Sequence, residues 1–373
     1  MTKGNTFSSL LLFTSGNTAP RRRALAGAWL VGLAALVIGC GGQGSPGTTG
    51  LTDGSTDGTT ATDGSTSTTS GPPSVGVAFN NSSGIYTMDA NGANQKKIGT
   101  GIVQSLALSP DGKRIVYRDR NDVWAMNSDG SGKMMLISES EGLINGGVRF
   151  SPDSSKIIYS VLLSGMTKLR MVPASGGSAV TLREEAWIQI GDYSYSSDGS
   201  KIVYAAKPFG KLAGSIVTID ANGGGRSEVA KLGAMPTFTS DGSQIVFSKW
   251  VTLSKMYLYR VNSDGADEQQ LIPGTQPADN STRATPSANG SFLIFTSGVG
   301  TLLPYRVNLN GSGLAQLQSA GPTTQHQPTR NGAYILFEQG GRLMKMNLDG
   351  SESGLLSASV QYVSTGVLAF REV

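Results

Sequence analysis

The stretch that decides the fold is Leu106-Ala107-Leu108-Ser109-Pro110-Asp111-Gly112-Lys113-Arg114-Ile115-Val116-Tyr117. Proline presets the first corner of a turn, aspartate hydrogen-bonds to its own backbone and glycine supplies a positive φ. The β-branched and aromatic run that follows is typical of a buried strand. The stretch therefore predicts a β-hairpin.

The same hairpin motif recurs from about residue 75 onward, at a spacing in the forties. A period of this size indicates a solenoid or a propeller. Seven copies are recognisable, at residues 106–117, 148–159, 195–204, 238–247, 286–295, 328–337 and 362–370. Seven second hairpins alternate with them, around the turns Asn91-Gly92, Asp129-Gly130, Ser175-Gly176, Asn222-Gly223, Asp264-Gly265, Asn310-Gly311 and Asp349-Gly350.

Two hairpins in succession make four antiparallel strands, which is one blade of a β-propeller. The sequence thus predicts an all-β fold with seven four-stranded blades over residues 74–373. The chain enters in the middle of a blade near Val75 and ends on a first hairpin at Val373. Closure is therefore expected by pairing of the N- and C-terminal strands, which removes an exposed edge. Because Gly76–Phe79 and Val367–Phe370 both look like second strands, six and eight blades stay open as alternatives.

The repeat, with its Ser-Pro-Asp-Gly turns before Ile-Val-Tyr and its Met-Asn-x-Asp-Gly turns, resembles the TolB-type, WD40-like (PD40) propeller repeat. The resemblance covers residues 75–373. It implies a propeller that binds other proteins in the bacterial cell envelope.

Residues 1–40 have the layout of a secretory signal. Arg21-Arg22-Arg23 precede an uncharged run from Ala24 to Ile38, which is short for a membrane span of about 20 residues. The run ends at Val37-Ile38-Gly39-Cys40, which resembles the bacterial lipobox. The resemblance implies that the sulfur of Cys40, the only cysteine of the chain, is lipidated and tethers the protein to a membrane. The expected location is the periplasmic face of the outer membrane or the cell surface.

Residues 41–73 are Gly, Ser, Thr and Asp with almost nothing apolar, which predicts a disordered linker. The net charge of +4 comes from the export segment, because removing its four basic residues leaves 26 basic against 26 acidic residues. A neutral chain has no electrostatic footprint for nucleic acid. The expected propeller is a monomer that binds no nucleic acid.

Catalytic and metal-binding motifs are scarce. One histidine and one cysteine exclude a Cys/His zinc cluster, and a Ser-His-Asp arrangement could use only His326. The Asp-Gly turns lack the alternating carboxylates of a calcium loop. The sequence predicts neither a cofactor nor a metal.

Binding residues are expected at the propeller end that carries the loops between second and third strands and the connections between blades. The side chains singled out there are Arg118, Arg120, Trp187, Lys207, Phe209, Trp250, Arg283 and His326. The leading hypothesis is a membrane-tethered scaffold for an envelope protein or a peptidoglycan-associated partner. The alternative is a polysaccharide lyase or glycoside hydrolase with paired carboxylates, for which Glu184, Glu185 and Asp192 would supply acids near the channel mouth.

Overall fold

The computed structural model describes residues 76–81, 83–89, 92–100, 103–272, 281–287, 289–298, 301–317, 326–328, 334–339, 342–351, 354–355 and 368–370. The predicted export segment, the linker and Cys40 lie outside these residues. Within the described residues, no helix is long and apolar enough to cross a membrane. The short 3₁₀ turn Glu139–Glu141 interrupts an otherwise all-β arrangement.

The strands follow one another along the chain as antiparallel neighbours, as the hairpin repeats predict. In chain order they are β1 Val77–Asn81, β2 Gly84–Met88, β3 Lys96–Thr100, β4 Ser105–Leu108, β5 Arg114–Asp119, β6 Asp122–Asn127, β7 Met134–Ile137, β8 Leu143–Ile144, β9 Arg149–Phe150, β10 Lys156–Leu163, β11 Met166–Pro173, β12 Val180–Ala186, β13 Ile188–Tyr195, β14 Lys201–Pro208, β15 Gly214–Asp220, β16 Ser227–Phe238, β17 Gln244–Thr252, β18 Lys255–Asn262, β19 Gln269–Gln270, β20 Thr282–Pro286, β21 Phe292–Ser297, β22 Leu303–Asn308, β23 Ala315–Gln316, β24 His326–Pro328, β25 Tyr334–Gln339, β26 Arg342–Asn347, β27 Gly354–Leu355 and β28 Leu368–Phe370.

These strands form five discrete blades of four or five strands and one longer sheet. The five blades are β28-β1-β2-β3, β4–β7, β8–β12, β20–β23 and β24–β27. The longer sheet has seven strands, β13–β19. The prediction of seven separate four-stranded blades is therefore wrong in this detail, although the all-β propeller is confirmed.

The physical reason for the longer sheet is the 12-residue strand β16. Its first part pairs with β15, from Ser227 opposite Thr218 to Gly233 opposite Gly214. Its second part pairs with β17, from Gly233 to Phe238. The chain thus passes from the outside of one repeat to the inside of the next without leaving the sheet, and two sequence repeats share one hydrogen-bonded sheet.

The predicted closure by the chain ends is present. β28 pairs antiparallel with β1, with Phe370 opposite Val77 and Leu368 opposite Phe79. Both candidate second strands therefore fit into one blade, with β28 at its inner edge and β1 beside it.

Apolar clusters fill the spaces between neighbouring sheets. Val116 of β5 packs with Ile157 of β10, and at the closing seam Leu336 of β25 packs with Phe79 of β1. Each second strand is sandwiched between two neighbouring sheets, so its apolar residues are consecutive rather than alternating, as at Ile115, Val116 and Tyr117. Full burial of one such side chain stabilises the fold by about 1.5–3 kcal/mol.

Candidate functional site

The strand order gives the molecule two different ends. One end, here called the turn end, carries the turns that join first to second and third to fourth strands of each blade. The opposite end, here called the loop end, carries the turns between second and third strands and the connections from one repeat to the next. The two ends differ sharply in how their polar groups are satisfied.

The turn end is built from one hydrogen-bond network repeated along the chain. The Ser109 hydroxyl donates to the Asp111 carboxylate over 2.6 Å and accepts from the Arg114 amide over 2.8 Å. The same pattern is centred on Ser151, Ser196, Thr239 and Ser287.

At two of these turns, the bonds hold the Asp153 and Asp198 carboxylates in their ionised form. Hydrogen bonds from Ser151 and Ser155 lower the pKa of Asp153 to about 2, and those from Ser196 and Ser200 lower that of Asp198 to about 2. Both side chains border a pocket of about 100 Å³ between adjacent repeats. Their oxygens already serve the local turns, so this end is structural.

Trp187 is the most prominent aromatic side chain of the loop end. It lies in the connection between β12 and β13, with 70% of its surface exposed and a φ of 60°. Its amide donates to the Gly165 carbonyl over 2.9 Å, and its carbonyl accepts from the Phe209 amide over 3.0 Å. A left-handed backbone is uncommon for a bulky residue, and such strain is concentrated at functional sites.

The Trp187 ring is held by its neighbours although it faces solvent. It packs edge-on against Phe209, with 6.4 Å between ring centroids. It also lies over Gly165, where an added Cβ would come within 3.2 Å of the ring. Two of the predicted binding residues, Trp187 and Phe209, are thus brought together in an ordered, exposed contact.

Further apolar side chains are exposed at the loop end. Residues in loops are usually polar, and exposed large apolar groups at one end of a protein indicate an interaction site. We define the loop-end apolar set as side chains that are each at least 49% exposed: Leu143, Leu163, Trp187, Leu212, Leu232 and Leu253. Apart from Trp187, these residues are not among the predicted binding residues, although the leucines at the end of β10 and in the β14–β15 and β17–β18 turns were the available signal.

Arg118 and Arg120 occupy different environments despite their proximity in sequence. Arg120 is exposed in the β5–β6 turn, as predicted. Arg118 belongs to β5 and is only 8% exposed, so its prediction as a loop residue is wrong. It packs between the sheet of β4–β7 and the β7–β9 segment, where the carbonyls of Ile144 and Gly146 accept from its guanidinium.

The remaining candidates lie in strands rather than loops. Lys207 is half-buried in β14, and Trp250 is half-buried in β17 opposite Met256. Arg283 lies in β20. His326, the first residue of the inner strand β24, is 6% exposed and lies opposite Phe337. These four residues therefore lie in strands and not in the loops, because the strands extend further toward the loop end than the repeat pattern predicts.

The carboxylates considered for acid catalysis are not a pair at the channel mouth. Glu184 and Glu185 lie on β12, the outermost strand of its sheet. Glu184 forms an ion pair with Lys168 at 2.7 Å, and Glu185 forms one with Arg226 at 3.3 Å. Asp192 lies at an irregularity in the inner strand β13. In the part of the chain that the structure describes, no three His, Cys, Asp or Glu side chains are grouped to hold a metal ion.

Comparisons with known proteins agree with this architecture. The profile of the family described as the TolB beta propeller domain matches residues 77–297. Among solved structures, TolB from Acinetobacter baumannii is similar at 19% identity and a TM-score of 0.52, covering 69% of this chain and 66% of that one. This chain thus spans slightly less than two thirds of that protein. No curated protein sequence matches it.

Enzymes of the same fold are also similar. An oligogalacturonate lyase solved in complex with manganese has 14% identity and a TM-score of 0.54, covering 68% of this chain and 79% of the lyase. The oligogalacturonate lyase of Vibrio parahaemolyticus has 12% identity and a TM-score of 0.53, with the same coverage of both chains. At these identities the similarity shows the fold alone.

Proposed function

Because this chain belongs to the TolB β-propeller domain family, we propose that it is a membrane-tethered scaffold whose loop end binds a protein partner of the cell envelope. The propeller is the rigid frame of this scaffold. In this proposal the loop end contacts the partner, and its role is binding and not catalysis.

The exposed Trp187 is the observation that supports this proposal. A tryptophan that is 70% exposed yet fixed against Phe209 and Gly165 offers a large rigid contact surface before any partner arrives. Tryptophan is enriched at the centre of protein interfaces, where truncation costs about 2 kcal/mol or more. The other members of the loop-end apolar set would add apolar contact area at the same end.

The tether in this proposal is the segment of residues 1–73. The basic run Arg21-Arg22-Arg23, the apolar stretch and Cys40 support export and lipidation, and the Gly/Ser/Thr linker supports a flexible connection to residues 74–373. The partner is then a protein exposed on the same side of the membrane, or one associated with peptidoglycan.

A non-catalytic role fits the described carboxylates better than the alternative of a polysaccharide-acting enzyme. Both Glu184 and Glu185 are already engaged in ion pairs on an outer strand. A glycosidase needs two carboxyl groups facing each other across the substrate.

Site-specific photo-crosslinking in the native envelope tests the proposal. A photoreactive amino acid at position 187 of the full chain should give a defined crosslinked protein. The same group at position 180 should not, because Val180 is 55% exposed on β12 but lies toward the turn end. After identification of the crosslinked protein, Trp187→Ala should weaken its binding about 30-fold while Val180→Ala leaves it unchanged.

Equal crosslinking at both positions, or none at position 187, would exclude the loop end as the contact surface. Unchanged affinity of Trp187→Ala for the identified partner would do the same.

A further inference from the structure

Arg118 is a buried guanidinium whose contacts are all to neutral oxygen atoms. Its Nε donates to the Gln104 Oε1 over 2.8 Å, and its Nη1 donates to the carbonyls of Ile144 at 3.1 Å and Gly146 at 3.5 Å. Within the described residues, its Nη2 donates no hydrogen bond and no carboxylate forms an ion pair with it.

A buried charge is costly unless an opposite charge accompanies it. Burial lowers the pKa of Arg118 below its ordinary value, and only the Tyr193 phenol opposes that shift. The guanidinium nevertheless stays charged at neutral pH because its intrinsic pKa is so high. The fold therefore places a positive charge inside the protein with its Nη2 group unused by the described residues.

Other unused donors and another positive charge lie close to Arg118. Ser105 is its direct neighbour across β4 and β5, is 6% exposed, and has a buried hydroxyl with no partner among the described residues. The Asn145 amide nitrogen, from the residue between the two accepting carbonyls, is likewise buried without a described partner. Arg149 on β9 is 7% exposed.

The two arginines converge on Tyr193 from separate elements. Burial raises the pKa of Tyr193 to about 12, and the charges of Arg149 and Arg118 both oppose that rise. The Tyr193 hydroxyl itself is occupied, since it donates to the Gly147 carbonyl and accepts from the Ser160 amide. Two guanidinium groups on adjacent blades thus give this inner region a positive potential.

We propose that Arg118 anchors an anion site for a side-chain carboxylate of the protein partner, with the Ser105 hydroxyl as a second donor. This inference rests on the proposed function and specifies the chemistry of the partner. The Arg118 Nη2 group, which is free among the described residues, can donate to one carboxylate oxygen while the Ser105 hydroxyl donates to the carboxylate as well, and charge-assisted bonds are about twice as strong as neutral ones.

The surroundings favour an acidic residue between apolar side chains over an acidic sugar. The Arg118 guanidinium contacts the Ile144 carbonyl, and the preceding residue, Leu143, is 49% exposed. Leu143 lies opposite Leu162, directly before the exposed Leu163. A peptide segment can place apolar groups on these leucines while its carboxylate reaches Arg118, whereas a sugar acid presents hydroxyls there.

The test measures binding of two blocked pentapeptides by calorimetry on the full chain in mild detergent. One peptide has a central aspartate between leucines and the other has asparagine in its place. We expect the aspartate peptide to bind at least about tenfold tighter, since a charge-assisted pair contributes on the order of one factor of ten. Arg118→Lys keeps the charge but loses the Nη2 donor, and should remove most of this difference.

Arg342→Lys is the matched control, because it makes the same exchange at an exposed arginine of another blade, and it should preserve the preference. If Arg118→Lys does not fold, Ser105→Ala should reduce the preference several-fold. Equal affinity of the wild type for both peptides, or an equal loss of preference in Arg118→Lys and Arg342→Lys, would overturn the anion site.

Tighter binding of trigalacturonate than of the aspartate peptide would also overturn it, in favour of an acidic sugar. Crosslinking at position 187 tests the scaffold proposal independently of the peptide measurements. A partner captured there with no aspartate preference removes only the anion site.

Discussion

The turn end and the loop end of this propeller differ in their hydrogen bonding, in the residues that have positive φ angles and in the exposure of apolar side chains. At the turn end, a Ser or Thr hydroxyl and an Asp or Asn side chain repeat one network, and positive φ angles fall on glycines such as Gly112 and on the small polar residues Asn94, Ser154 and Asp267. At the loop end, glycines such as Gly165 also have positive φ angles, but so do the bulky residues Trp187 and Leu232, and large apolar side chains face solvent.

This difference indicates where the fold stores strain and where it avoids it. A left-handed conformation costs a non-glycine residue about 1–2 kcal/mol, and such strain persists only where the surroundings impose it. The turn end uses residues that suit their conformation, which is expected of a part that serves only the fold. The loop end tolerates strained residues, which is expected of a part retained for contact with a partner.

Among substitutions that test this difference between the two ends, Gly242→Ala at the turn end should change the free energy of unfolding most. Gly242 has a φ of 71°, and the nearest atom to an added Cβ is the Ser197 Oγ at 4.0 Å. The substitution therefore introduces backbone strain without a steric clash, and should lower the free energy of unfolding by about 1 kcal/mol. Denaturant melts of the full chain measure it.

Gly191→Ala is the control for this experiment, because nothing lies within 4 Å of its added Cβ and its φ is not positive. It should leave the free energy of unfolding unchanged or raise it. An equal loss in both variants would show that the turn-end glycines are not selected for their backbone conformation.

Leu232→Gly at the loop end should change the free energy of unfolding by a smaller amount and in the opposite direction. Leu232 has a φ of 58° and is 55% exposed, so glycine relieves strain while losing little buried surface. The free energy of unfolding should rise by about 0.5–1 kcal/mol. Leu253→Gly provides the contrast, since Leu253 is 88% exposed and is not among the residues with positive φ. A loss of stability in Leu232→Gly would refute strain at this position.

The smallest effect should be the loss of stability at acid pH that results from protonation of Asp198 at the turn end. The pKa of Asp198 is about 2 in the folded chain and about 3.9 when unfolded, so its stabilisation is complete above pH 4 and is lost as the pH falls toward 2. NMR titration of the carboxyl should show the low pKa, and Ser196→Ala should move it upward. An ordinary pKa for Asp198 in the wild type would contradict the hydrogen-bond network.

Much of the fold could be predicted from the sequence, since turns and buried strands are encoded by neighbouring residues. The pairing of β28 with β1 was predicted from the mismatch between the two chain ends, and it is observed. The fused sheet was not predictable, because the repeat pattern does not show that the chain stays hydrogen-bonded through Gly233 as it changes partner strand.

The candidate site was predicted less completely. Trp187 and Phe209 were recognised as loop residues of contact type, and the structure brings their rings together. Arg118 was assigned to a loop but is buried, because a strand's length beyond its hairpin motif is set by pairing with its neighbours. Tyr193 carried no signal, since nothing in its local sequence reveals that two arginines approach it.

The sequence by itself determined the blade unit, the turn chemistry and the antiparallel order, because each depends on residues a few positions apart. Only the tertiary structure decided which side chains meet across repeats. The approach of Arg118 to Ile144 and of Trp187 to Phe209 joins residues 26 and 22 positions apart on adjoining sheets. Such contacts arise from the packing of one repeat on the next, where the local pattern repeats but the side chains that fill it do not.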